Sequence, residues 1–125
     1  MEEKKDFHQI VEEICTKDPR YKADSYEFVL QALTFTQKRL QKEGHVSGKE
    51  LLEGIREFAL QQYGPMVKTV LTHWGITQTS DFGNIVFNMI EKKLLAKTQE
   101  DSCQDFENVY DFQAAFKHTI KNLKI

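Results

Sequence analysis

Four histidines, two cysteines and a scatter of carboxylates are the side chains that could carry chemistry here, and their spacing decides what chemistry that could be. His8, His45, His73 and His118 stand apart. None sits in an H-E-x-x-H pair or beside a cysteine at zinc-ligand spacing. Cys15 and Cys103 make no C-x-x-C pair, so they read as two reduced thiols rather than a redox or metal centre. His73 adjoins Trp74 at a predicted helix end, where a charged or half-charged imidazole is favourable against the helix dipole, and His45 after Gly44 reads the same way. Asp81-Phe82-Gly83 spells the magnesium tripeptide of protein kinases, but the glycine-rich loop, strand lysine and H-R-D loop of those enzymes are missing. Asp81 is better explained as an acid at a helix start. Glu100, Asp101, Asp105, Glu107 and Asp111 lack the central glycine of a calcium loop and read as a solvated acidic loop. There is no G-x-S-x-G elbow, and Cys15 has no evident base beside it. No catalytic residue, metal ligand or cofactor site is expected.

The elements that would position these groups are mostly helices. Phe7, Ile10, Val11 and Ile14 recur at helical spacing and predict a helix over 5–17, broken by Asp18-Pro19-Arg20. A second helix is predicted over 24–42, with Asp24 or Ser25 as N-cap and Gly44 as its stop. His45-Val46 reads as a short extended piece. Ser47-Gly48-Lys49-Glu50 fits the capping box S-x-x-E and opens a third helix ending at Gly64. Pro65 starts a fourth, carrying Val67, Val70, Leu71 and Trp74 and stopped by Gly75. A turn over 77–80 leads to a fifth helix, 81–95, which Ser80 can cap. Its apolar residues run nearly all round, making it the most buried element expected. Gly83 in its first turn costs about 1 kcal/mol against alanine, so a packed helix or a ligand anion is expected to approach the backbone there. Phe106, Val109, Tyr110 and Phe112 read as an edge strand, followed by a short helix over 113–121.

The 125 residues form one expected domain, mainly α, with a small β-hairpin. In a winged-helix arrangement, residues 45–47 would pair with a hairpin of about 94–98 and 108–112. An irregular helical bundle with a small sheet is the alternative. Hydrophobic residues at 40% and charged residues at 29% are ordinary for a globular chain. No apolar run approaches the ~20 residues that span a bilayer, and no signal-peptide core follows the charged start, so a cytoplasmic protein without a membrane partner is expected. A net charge of −2 argues against unselective nucleic-acid binding. The leading expectation is a protein-interaction or assembly domain, homo-oligomers included, with Tyr21, Tyr26, Tyr63 and Trp74 as candidate contact residues. The alternative is a DNA- or RNA-associated winged helix using Lys38, Arg39, Lys42, Asn84, Asn88, Lys92 and Lys93, provided the basic clusters share a face. A small ligand binder or enzyme comes third and would need His73, Asp81 or Tyr63 gathered in one pocket.

The stretches 45–52 (HVSGKELL), 63–66 (YGPM), 81–88 (DFGNIVFN) and 109–112 (VYDF) resemble a family of short bacterial proteins of unknown function, the Minf-type family. The resemblance covers most of the chain from Arg20 onward. It implies a bacterial cytoplasmic protein and supplies no mechanism. Members of that family often carry glycine where Lys93 stands here.

Overall fold

Asp6 opens the first helix, α1 (Phe7–Lys17), with a reciprocal cap. Its carboxylate accepts from the Gln9 amide at 2.9 Å, and the Gln9 side chain accepts from the Asp6 amide at 3.0 Å. The computed structural model describes residues 6–96 and 103–117. α2 (Ala23–Leu40) and α3 (Gly48–Tyr63) pack antiparallel: Phe28 stacks near Tyr63 at one end, and Lys42, just past α2, pairs with Glu50 at the other. A 3-10 turn (Gly64–Met66) with Pro65 in its first positions feeds α4 (Val67–His73). α5 (Thr79–Glu91) then runs beside α2 in the same sense. Tyr21, just ahead of α2, meets Asp81 and Asn84, and Tyr26 further along meets Asn88. A second 3-10 turn (Cys103–Phe106) and the one-turn helix α6 (Phe112–Ala115) lie against this body.

The core lies where α2, α3 and α5 meet. Tyr26, Val29, Leu52, Ile55, Phe82, Ile85 and Met89 are essentially inaccessible there, each large apolar side chain adding about 1.5–3 kcal/mol of burial. The capping box of α3 forms as its sequence requires: the Glu50 amide donates to Ser47 Oγ at 3.1 Å, and Glu50 Oε1 accepts from the Ser47 amide at 2.9 Å. α5 is indeed deeply buried, with Thr79, Asp81, Phe82, Gly83, Ile85, Val86 and Met89 inside. The group that approaches Gly83 is Phe106 of the second 3-10 turn. A Cβ on Gly83 would lie 2.7 Å from the Phe106 Cβ, so only glycine lets that turn close on α5.

Several boundaries differ from the sequence expectation. α2 starts at Ala23 after Lys22, and the Ser25 hydroxyl bonds back to the Lys22 carbonyl instead of capping. α2 ends at Leu40, and the residue that stops it is Gln41, not Gly44: Gln41 takes the left-handed conformation (φ 55°), and its amide and that of Lys42 satisfy the last carbonyls. α5 begins two residues early, because Asp81 reaches back to the amides of Thr77 and Gln78, which leaves Ser80 no capping role. It stops at Glu91, since Lys93 turns the chain with φ 64°.

The hairpin is a larger correction. Among the described residues no strand forms, so the winged-helix arrangement has neither its wing nor its short central strand. Residues 94–96 bend away after Lys93, and 97–98 lie outside the described residues. Residues 106–112 are held by side chains instead of by a ladder. Thr79 Oγ1 donates to the Phe106 carbonyl at 2.6 Å and accepts from the Val109 amide at 3.2 Å, while the Tyr110 hydroxyl donates to the Leu52 carbonyl at 3.0 Å. Asp111 then caps α6 through the Ala114 amide, which sets Phe112 and Phe116 one helical turn apart against each other. The expected helix over 113–121 is reduced to α6 within the described residues, and 118–121 lie outside them.

Candidate functional site

The helix register that buries Phe82, Ile85 and Met89 turns Asp81, Asn84 and Asn88 toward the segment between α1 and α2. Asp81 is almost fully buried and saturated: Oδ1 accepts from the Tyr21 hydroxyl at 2.6 Å, and Oδ2 from the amides of Thr77 at 2.9 Å and Gln78 at 3.2 Å. The Asn84 amide donates to the Tyr21 oxygen at 2.9 Å. One turn on, Asn88 Nδ2 lies within bonding distance of the Tyr26 hydroxyl at 3.0 Å and of Asp18 Oδ2 at 2.9 Å. Arg20 grips the same Asp18 carboxylate through two nitrogens, both at 2.8 Å, and lays its guanidinium over the Tyr21 ring. That grip, seconded by Asn88, holds the Asp18 carboxyl well below the usual carboxylate range. Burial, with the Asp81 contact in support, pushes Tyr21 up to about 12, and burial likewise raises Tyr26. The bonds among Tyr21, Asp81, Asn84, Tyr26, Asn88 and Asp18 all run between groups of the fold, which makes the cluster a fastening of the 18–26 segment onto α5.

This geometry assigns the sequence-selected residues to different jobs. Tyr21 and Tyr26 are 2% and 0% exposed, so their rings offer almost nothing to a partner. Trp74, also buried, joins Phe28, Tyr63, Phe58 and Phe35 in a continuous stack with neighbouring centroids 5.3–5.9 Å apart. Asn84 and Asn88 spend their amides inside the molecule, which removes them from base reading. Of the basic residues, Arg39 pairs with Glu57, Lys42 with Glu50, and Lys92 with Glu13 at 3.9 Å, while Lys38 and Lys93 are exposed. His73 is exposed at the end of α4, far in character from the saturated Asp81 and the stacked Tyr63. Burial raises the Cys15 thiol, the opposite of what a nucleophile needs. Among the described residues, no three His, Cys, Asp or Glu side chains converge as metal ligands would. Among them, too, no helix is long and apolar enough to cross a membrane.

The feature that residue-by-residue reading missed is an apolar cleft of about 330 Å³. α2 contributes Leu33 and Gln37, the 44–48 segment Val46, α3 Leu51, and α5 Val86, Phe87 and Ile90, with Leu95 and Phe106 at its edges. Its polar groups are few: the Gln37 amide donates to the Gly44 carbonyl at 3.0 Å, and His45 stands nearby. The signal for it was present in α5, whose apolar residues run almost all round. One side builds the core, and Phe87 and Ile90, left over on another, line the cleft. Compared with protein-family models, curated proteins and solved structures, the chain matches none.

Proposed function

We propose that this chain is a non-catalytic interaction domain, and that its contact surface is the cleft between α2, α3 and α5, which seats apolar side chains of a partner protein. The observation that supports this reading is the cleft's lining: contiguous Leu33, Val46, Leu51, Val86, Phe87 and Ile90, with few polar groups among them. The Tyr21–Asp81 and Tyr26–Asn88 contacts and the Arg39 and Lys42 ion pairs are used within the fold, which favours an apolar contact as the recognition chemistry. The reading takes the chain as a bacterial cytoplasmic protein of the Minf-type family. In its favour, Lys93 holds a left-handed conformation, the one a glycine, frequent there in that family, adopts at no steric cost.

The test is site-specific photo-crosslinking. A photoreactive phenylalanine analogue is placed at Ile90, and in a second protein at the exposed Thr69 on α4, and both are irradiated in nuclease-treated lysate of the source cells. The expected result is a discrete adduct from position 90 and none from 69. The adducted protein, once purified, should bind the wild type and lose at least tenfold in affinity for Leu33→Glu at unchanged helical content. Identical adducts at both positions, or none, would overturn the proposal. An adduct between two copies of this chain would replace the partner by self-association.

A further inference from the structure

We draw no further inference here: the strongest candidate, the polar cleft of about 470 Å³ where residues 77–79 at the head of α5 face Asn108, Asp111 and Gln113, carries nothing because its buried hydroxyl, Thr79 Oγ1, is already bonded within the fold and a helix N-terminus alone designates no ligand.

Discussion

A methyl group added at Gly54 would ordinarily help, since alanine outranks glycine by about 1 kcal/mol inside a helix. At this position it would run into Thr36 of α2, whose Oγ1 occupies the site and whose Cβ would be 2.8 Å away. Thr36 is itself fixed, buried and donating to the Ala32 carbonyl at 2.7 Å. Gly54→Ala is therefore expected to destabilise by about 1–3 kcal/mol in a denaturant titration, as overpacking does. In a Thr36→Ala background the loss should shrink, because the hydroxyl is gone and only the Cβ contact remains. Strictly additive losses would show that α2 and α3 do not touch there. Lys93 offers the reverse experiment. A non-glycine residue at φ 64° is strained by roughly 1–2 kcal/mol, part of which glycine returns as unfolded-chain entropy. Lys93→Gly should raise stability by about 0.5–1 kcal/mol, whereas Lys93→Ala should not. Equal behaviour of the two would mean that the left-handed turn is not what ends α5.

At the scale of elements, the helices were legible because their cause is local. The i, i+3, i+4 spacing of Phe7, Ile10, Val11 and Ile14, and the Ser47–Glu50 box, act within a few residues of themselves. The stop of α2 was not, since Gln41 takes the left-handed cap although Gly44 was the cheaper residue. Residues 106–112 misled for a related reason. Aromatic and branched side chains mark a half-buried surface, which a strand supplies but which an irregular segment tied to Thr79 and Leu52 supplies equally well. The fastening of Tyr21 to Asp81 joins residues 60 apart, a distance at which no local pattern speaks. The elements also differ in how firmly they are held. α1 fully buries only Val11 and Ile14, and its ion pairs, Lys17 with Glu91 and Glu13 with Lys92, join side chains 36–69% exposed, a class of pair worth little. The prediction is that backbone amides of α1 exchange with deuterium through a local opening, well before those of α2, α3 and α5. Exchange of all four at one common rate would instead make α1 part of the global unit.

Over the whole molecule, titration reports how completely the polar groups have been drawn into the fold. The sign differs at the two ends of the pH scale. Asp18 has a folded pKa lowered by Arg20, so its stabilisation is complete above the unfolded value of about 3.9 and is lost as pH falls below it. Asp18→Asn should flatten that acid limb. The tyrosines act the other way. All four, Tyr21, Tyr26, Tyr63 and Tyr110, are raised by burial, Tyr21 to about 12, so the folded state holds the phenolic proton more tightly than the unfolded chain does. Their contribution is whole below an unfolded pKa of about 10 and is lost as pH rises through the folded values. An ultraviolet titration should then show less phenolate at pH 10 than free tyrosine, which is half ionised there, with Tyr21 among the last to ionise. In Tyr21→Phe, stability should fall less steeply between about pH 10 and 12 than in the wild type, even though that variant starts lower for want of the Asp81 and Asn84 bonds. Phenolates forming near pH 10 with the helices intact would mean that these hydroxyls face water. The Asp81–Tyr21–Asn84 cluster would then be open to solvent and to ligands, and the case for the apolar cleft as the recognition surface would lose the exclusion on which it rests.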